Sequence, residues 1–169
     1  MSEKFGFKVI ITGDTAVGKT SLVRRYCDNK FDANQKPSIG ADFTIKVVHF
    51  AKYEVILTIW DIGGQVLFDN LRDFYYQGSD AGIIVFDVTN QDSLKRISAK
   101  WLPEMQSINN ISIIILANKI DLKQDRIIGP EECQQLSNDL GIPVFETSAK
   151  TGINVKKAFE ALAKSLVER

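Results

Sequence analysis

Histidine and cysteine are scarce in this sequence of 169 residues, which has one histidine and two cysteines. Cys27 and Cys133 lie far apart, and neither belongs to a CxxC or a mixed Cys/His spacing. This argues against a disulfide framework or a zinc site and predicts a reducing, cytoplasmic setting. His49 lies in a strand-like run and is interpreted as an ordinary strand residue.

The sequence also lacks an excess of either charge, because 21 lysines and arginines balance 21 aspartates and glutamates. We therefore expect no nucleic acid partner. A signal peptide, an apolar run of bilayer length, a glycine at position two and a prenylatable cysteine near the end are missing as well. We expect no membrane anchor in this chain, membrane association only through a lipidated tail outside it, and a monomer.

Short apolar runs alternate with segments of helical period along the chain. This alternation predicts an α/β fold in which helices cover both faces of a mostly parallel sheet, in one domain over residues 1–169. Pro103 is expected to kink or interrupt the third helix of the series. The predicted strands are Phe7–Thr12, Asp42–Phe50, Glu54–Trp60, Ile83–Val88, Ile111–Ala117 and Val144–Glu146. The predicted helices are Lys19–Cys27, Pro130–Leu140, Val155–Val167 and, with the proline inside it, Gln91–Ile108.

The first predicted strand leads directly into GDTAVGKT, which satisfies G-x-x-x-x-G-K-[ST]. Glycines in such a loop let backbone N–H groups turn toward phosphate oxygens, and the helix N-terminus adds a favourable dipole. Lys19 supplies a positive charge to the β- and γ-phosphates, and the Thr20 hydroxyl is a suitable ligand for Mg²⁺. The motif alone leaves kinases, ATPases and GTPases open. Its predicted nucleotide-binding residues are Gly13, Asp14, Thr15, Ala16, Val17, Gly18, Lys19, Thr20 and Ser21.

Two further motifs, NKID and TSAK, follow predicted strands at the edge where a base would lie. The Asp121 carboxylate can accept from both N1–H and the 2-amino group of guanine, whereas adenine would leave it unpaired. The stem of Lys119 can cover the ring, Asn118 can join this loop to the phosphate loop, and the Ala149 N–H can donate to the 6-oxo group. The predicted base-side residues are Phe31, Asn118, Lys119, Asp121, Leu122, Ser148, Ala149 and Lys150.

With these motifs the sequence resembles the Ras superfamily of small GTPases, and the Rab branch most closely, over essentially its whole length. The general motifs are GDTAVGKT, WDIGGQ, NKID and ETSAK, and the Rab-like features are SIGADF, YYQG and VFDVT. The resemblance implies a P-loop NTPase fold of the Ras-like G-domain type with a six-stranded, mostly parallel sheet. It also implies Mg²⁺ as cofactor and slow hydrolysis of GTP to GDP.

The resemblance also assigns roles to single residues. Ser38 matches a threonine that ligates Mg²⁺ together with Thr20, and Asp61 matches an aspartate that contacts the metal. Gly64 matches a glycine whose N–H bonds the γ-phosphate. Gln65 matches a glutamine that orients the attacking water, so Gln65 and Lys19 are the predicted catalytic residues.

The implied output is a molecular switch in which γ-phosphate and Mg²⁺ order two segments, Phe31–Phe43 and Ile62–Tyr76. Effectors, exchange factors and GTPase-activating proteins are expected to contact these segments, in membrane trafficking or related signalling. An apolar patch of four residues is interpreted as effector-facing, with core packing as the alternative. Its members are Ile39, Phe43, Trp60 and Tyr75.

Several residues depart from the family pattern. Ser38 lacks the methyl group of the usual threonine, and Thr15 and Ala16 stand where glycine or serine is common. The Gly-Gly pair of WDIGGQV resembles the Arf branch, and Val66 removes a carboxylate. Gly63 replaces the usual alanine and is interpreted as a source of hinge freedom.

Two alternatives to a GTPase switch are open at this point. One is a GTP-binding interaction module with negligible hydrolysis, and the other is a P-loop kinase, which would leave NKID and TSAK unexplained. No arginine is assigned as a catalytic finger. Arg72, in the second switch, is interpreted as a solvated helix residue.

Overall fold

The computed structural model describes residues 1–65 and 69–169. In this part of the chain, six strands form one sheet in the order β2-β3-β1-β4-β5-β6. Every neighbouring pair is parallel except β2 and β3, which are antiparallel. This confirms the predicted six-stranded, mostly parallel sheet. The strands are β1 (Glu3–Gly13), β2 (Ala41–Phe50), β3 (Tyr53–Ile62), β4 (Ala81–Asp87), β5 (Ser112–Asn118) and β6 (Val144–Glu146).

The described helices cover both faces of the sheet, as predicted. None of those within residues 1–65 and 69–169 has the length and apolar character needed to cross a membrane. They are α1 (Lys19–Asp28), α2 (Asp69–Tyr76), α3 (Gln91–Arg96), a π-helical turn (Ile97–Trp101), α4 (Leu102–Gln106), α5 (Pro130–Leu140) and α6 (Val155–Val167).

The central strand β4 shows why the sheet has two cores. All of its residues are buried, and successive side chains point to opposite faces. Ile83 and Val85 pack in the core beneath α1 and α6, whereas Ile84 and Phe86 pack in the core beneath α3, α4 and α5. A strand that is buried on both faces needs apolar residues at every position, which explains its continuous apolar run.

Several predicted boundaries were wrong by one or two residues, and the largest difference is at the start of the first strand. The first strand begins at Glu3 rather than Phe7, because residues 3–11 pair in register with β3 from Tyr53 onward. The helix predicted over Gln91–Ile108 ends at Gln106 and contains the π-helical turn, in which the Leu102 N–H donates to the Ile97 carbonyl five residues back. The wider turn directly precedes Pro103, which has no N–H to continue the regular ladder.

Candidate nucleotide-binding site

The phosphate loop connects β1 to α1, and two of its glycines are required by close neighbours. Gly13 and Gly18 have φ values of 147° and 103°, where side chains are strained. A Cβ at Gly13 would overlap the Val85 carbonyl oxygen, and one at Gly18 would overlap the side-chain amide of Asn118. The phosphate loop therefore packs closely against the backbone of β4 and against Asn118 at the end of β5. Ala16 adopts a φ of 67° in the same loop, a conformation that glycine adopts without strain.

Lys19, at the first position of α1, is buried against the phosphate loop. Its ammonium group donates to the carbonyl oxygens of Gly13 at 3.0 Å and Asp14 at 2.7 Å. Burial lowers the pKa of Lys19 to about 8, although the negative charges of Asp61 and Asp14 oppose the shift. The ammonium group of Lys19 is thus held inside the phosphate loop, where it is predicted to bind the β- and γ-phosphates.

Three oxygen-bearing side chains from different elements meet beside Lys19. Thr20 on α1 contacts both Ser38 and the Oδ2 atom of Asp61, and Ser38 Oγ donates to the same oxygen at 3.1 Å. The other carboxylate oxygen of Asp61 is buried and has no hydrogen-bond partner among the described residues. Two hydroxyls and a buried, partly unsatisfied carboxylate are the hard oxygen donors that Mg²⁺ prefers, so these residues fit the implied metal.

The segment after β3 lies directly on the phosphate loop and on the first switch. A Cβ at Gly64 would overlap the Gly13 carbonyl oxygen and would lie 2.8 Å from the Thr15 nitrogen. The Gly63 N–H donates to the Gly40 carbonyl at 2.7 Å, and a Cβ at Gly63 would lie only 2.9 Å from the Ser38 carbonyl oxygen. Close approach is thus a structural reason for both glycines. The side-chain oxygen of Gln65 is buried without a hydrogen-bond partner in residues 1–65 and 69–169, and Val66 lies outside these residues.

Asn118, at the end of β5, connects the base-side loops to the phosphate loop. Its amide donates to the Val17 carbonyl at 3.0 Å, and its oxygen accepts from Thr147 Oγ1 at 3.1 Å and the Ala149 N–H at 3.3 Å. These contacts are those expected of a residue that joins the two loops.

The neighbouring base-side residues are also held by hydrogen bonds. Lys119 donates to the Ala16 carbonyl at 2.7 Å and forms an ion pair with Asp87 at 2.8 Å. Asp121 Oδ1 accepts from Ser148 Oγ at 2.7 Å. NKID and TSAK therefore form one connected surface.

One cavity of about 390 Å³ brings most of the predicted site residues together, a volume in the range of small-molecule sites. The predicted residues that line it are Thr15, Ala16, Gly18, Lys19, Thr20, Ser21, Phe31, Ser38, Gly64, Gln65, Asn118, Lys119, Asp121, Leu122, Ala149 and Lys150. Gly13, Asp14, Val17, Asp61 and Ser148 do not line it, although each contacts a residue that does or supports the loop behind it. Gly63 and residues 32, 33 and 35–37 also line the cavity and were not predicted as site residues.

Arg72 was wrongly interpreted as a solvated helix residue. Its side chain is 1% exposed and contacts Asp69, Glu104 and the backbone carbonyl of Gln65. Its guanidinium also lies 4.9 Å from the centre of the Trp101 ring. The Asp69 contact has the i,i+3 spacing of a helix, but nothing in the local sequence indicates Glu104 or Trp101 as partners.

The four residues of the apolar patch divide between surface and core. Ile39 and Phe43 are 84% and 52% exposed, whereas Trp60 and Tyr75 are half-buried against the core beneath α3 and α5. Trp60 lies 5.0 Å from Phe43 and 5.8 Å from Tyr75, measured between ring centres. Trp60 therefore packs on the core and belongs to the exposed patch at the same time.

A phosphate loop between β1 and α1, with two base-side loops at the ends of β5 and β6, defines this protein as a P-loop nucleotide-binding domain of the α/β class. A sequence model of the Ras family matches residues 8–168. The chain belongs to the Ras family of small GTPases and lies near its Rab branch.

Rab proteins of several organisms are among the relatives of this chain. The chain is 41% identical to the Ras-related protein Rab-26 of Mus musculus over 166 residues, which cover 96% of this chain and 64% of that protein. It is 36% identical to Rab-1 of Theileria parva, covering 96% of this chain and 75% of the relative. It is also 36% identical to Rab-21 of Mus musculus over 166 residues, which cover 97% of this chain and 74% of that protein. The chain thus spans somewhat less than two-thirds of the length of Rab-26.

Proposed function

We propose that residues 1–169 form one guanine-nucleotide-binding domain that binds GTP and GDP with Mg²⁺ and slowly hydrolyses GTP to GDP and phosphate. The observation that carries this proposal is the meeting of Thr20, Ser38 and Asp61 beside Gln65 and the phosphate loop. The same cavity extends to the loops that carry the predicted base-reading groups.

Guanine is the base that fits this site best. The Asp121 carboxylate, oriented by Ser148, accepts from the two adjacent donors of guanine, and the Ala149 N–H donates to its 6-oxo group. Adenine has neither donor at those positions and would leave a carboxylate desolvated and unpaired. Lys119, tied to the phosphate loop through Ala16, covers one face of the ring.

Hydrolysis depends mainly on positioning and on neutralising charge. Lys19 and the backbone N–H groups of the phosphate loop bind the phosphates, and Gly64 brings its N–H to the γ-phosphate. Gln65 orients a water in line with the bond between the γ-phosphorus and its bridging oxygen, which breaks as the new bond to water forms. When bound by Thr20, Ser38 and Asp61, Mg²⁺ supplies further neutralisation of phosphate charge.

The two switch segments, Phe31–Phe43 and Ile62–Tyr76, are the proposed readout. The Gly63–Gly40 hydrogen bond already joins them in this arrangement. Effectors contact the exposed apolar patch, while exchange factors and activating proteins act on the same segments of a monomeric protein. A role in membrane trafficking or related signalling is the further part of this proposal and rests on the resemblance to the Rab branch.

Nucleotide competition and single-turnover hydrolysis test this function. Unlabelled GTP and GDP should displace a fluorescent GDP from the wild type, and ATP should not; equal displacement by ATP would exclude the guanine assignment. Gln65→Leu should then hydrolyse bound GTP at least about tenfold more slowly than the wild type. Equal rates would instead favour a GTP-binding interaction module with negligible catalysis.

A further inference from the structure

Arg25, in the last turn of α1, contacts the TSAK loop far away in the sequence. Its Nε atom donates to the Ala149 carbonyl at 2.8 Å, and one terminal nitrogen donates to the Lys150 carbonyl at 2.6 Å. The second terminal nitrogen donates to the side chain of Asn29 at 3.0 Å. One planar cation therefore holds two successive carbonyls of the loop that is proposed to read the base.

The position of Arg25 connects the two ends of the nucleotide site. Helix α1 begins with Lys19 and Thr20 at the phosphate end and carries Arg25 in its last turn, in contact with the base-side loop. A helix of this length is rigid, so Arg25 fixes the distance between the phosphate-binding and base-binding groups.

The TSAK loop is held at Ser148, whose N–H donates to the Ile153 carbonyl at 3.1 Å and whose carbonyl accepts from the Gly152 N–H at 2.8 Å, but Ala149 itself has one hydrogen bond besides that to Arg25 among the described residues. Strand β6 before it has three residues, and the Ala149 N–H contacts Asn118 Oδ1 at a long 3.3 Å. Beyond the loop, Gly152 has a φ of 86° and lies against the Arg25 side chain, where an added Cβ would be 3.6 Å from Cδ. The guanidinium of Arg25 thus binds the carbonyl group of Ala149, the residue whose N–H is proposed to face the base.

We propose that Arg25 is a positioning residue for guanine recognition, which holds the Ala149 N–H toward the 6-oxo group and thereby slows nucleotide release. The inference rests on the proposed guanine-binding function and adds a determinant that lies outside NKID and TSAK. The alternative role for Arg25 is to cap α1 through Asn29, whose φ of 51° ends the helix. Capping would stabilise the fold without affecting contacts to the 6-position.

The neighbouring Arg24 offers a matched control. It has the same charge and lies on the same helix, but it is exposed and makes no hydrogen bond or ion pair with residues of the described chain. We expect Arg25→Met to release a fluorescent GDP about tenfold faster than the wild type, since charge-assisted hydrogen bonds to the loop are lost. Arg24→Met should stay within about twofold of the wild type.

A second readout compares GDP with 6-thio-GDP, which differs only in the atom at the 6-position and accepts hydrogen bonds less well. The wild type should release 6-thio-GDP faster than GDP, and this ratio should fall toward one in Arg25→Met. Arg25→Lys, which keeps the charge but cannot span two carbonyls, should show both effects to a lesser degree. If Arg25→Met does not fold, Arg25→Lys supplies the same two measurements.

The outcomes separate this inference from the function on which it rests. A wild type that does not retain GDP would overturn the proposed function itself. A wild type that retains GDP, with equal release from the Arg24 and Arg25 variants, would overturn the role of Arg25 alone. Faster release with an unchanged ratio between 6-thio-GDP and GDP would assign Arg25 to helix capping and would also overturn it.

Discussion

The indole N–H of Trp101 donates a hydrogen bond to the carboxylate of Asp14 at 2.8 Å, which joins the π-helical turn to the phosphate loop. The face of the same indole lies against Arg72 on α2. Arg72 in turn donates to Glu104 at 3.1 Å and to the Gln65 carbonyl at 3.3 Å. The phosphate loop and the second switch are therefore attached to one side chain, and the residue proposed to orient water lies at the end of this chain of contacts.

Removing the guanidinium of Arg72 should break the contacts that connect α2 with Trp101, Glu104 and the Gln65 carbonyl. Burial disfavours the charge of Arg72, but its hydrogen bonds with Glu104 and Asp69 outweigh this effect and raise its pKa. We expect Arg72→Met to lower the free energy of unfolding by about 2 kcal/mol, because Glu104 loses its partner in a partly enclosed site. Single-turnover hydrolysis should slow more than GDP release accelerates, since the Gln65 carbonyl loses its donor.

Urea unfolding with GDP present and rapid-quench hydrolysis measure the two effects. Arg96→Met is the control, because Arg96 pairs with Asp14 at 2.5 Å but is half exposed, so its loss should destabilise the protein much less than Arg72→Met does. Equal destabilisation by the two substitutions would show that burial of Arg72 adds nothing.

The sequence predicts this site well where function depends on a short motif at the end of a strand. GDTAVGKT and NKID each combine backbone requirements with a chemical group, and parallel strands bring their ends to one edge of the sheet. Arg25, Arg72 and Trp101 could not be assigned in the same way, because their partners lie 124, 32 and 87 residues away. An arginine in a helix has the same local pattern whether it is solvated or buried, and only tertiary packing decides between the two.

Base preference should change when the base-reading carboxylate becomes an amide. Asp121→Asn should favour xanthosine diphosphate over GDP by at least about tenfold, because xanthine has a carbonyl where guanine has its 2-amino donor. Ser148 can still donate to the amide oxygen, as it does to Asp121 Oδ1 at 2.7 Å, so the loop should stay in place. Competition against fluorescent GDP measures the preference. Asp125→Asn, the control, removes the same charge at an exposed position nearby and should leave the base preference unchanged. If Asp121→Asn keeps the preference for guanine, Asp121 is not the residue that recognises the base.

Nucleotide affinity should depend on pH through Lys19. Its pKa of about 8 in the ligand-free protein lies below the ordinary value of 10.5, because burial disfavours the ammonium form. Phosphates require the charged form, so binding above pH 8 must be accompanied by proton uptake. GDP affinity should therefore fall about tenfold between pH 7 and pH 9.

Calorimetry at pH 8.5 in two buffers of different ionisation enthalpy counts the protons taken up. The wild type should take up most of one proton, and Lys19→Met should bind more weakly and take up none. Proton uptake that persists in Lys19→Met would assign the effect to another group.

The strongest test of the second switch is a single methyl group at Gly64. A Cβ there would overlap the Gly13 carbonyl oxygen and crowd the Thr15 nitrogen, and both are backbone atoms that cannot rotate away. The segment would have to withdraw from the phosphate loop, and a shift that costs about 1–3 kcal/mol should slow single-turnover hydrolysis by about 5-fold to about 150-fold.

GDP release should change little in Gly64→Ala, because the base-side contacts remain intact. Gly63→Ala provides the comparison, since its Cβ would meet the flexible Gln65 side chain at 2.8 Å and the Ser38 carbonyl at 2.9 Å. The nearest backbone atom to that Cβ is at 2.9 Å, against 2.3 Å at Gly64, so the segment has to withdraw less from its neighbours and the loss of hydrolysis should be smaller. If Gly64→Ala hydrolyses GTP at the wild-type rate, the second switch does not need this close approach to the phosphate loop during the reaction.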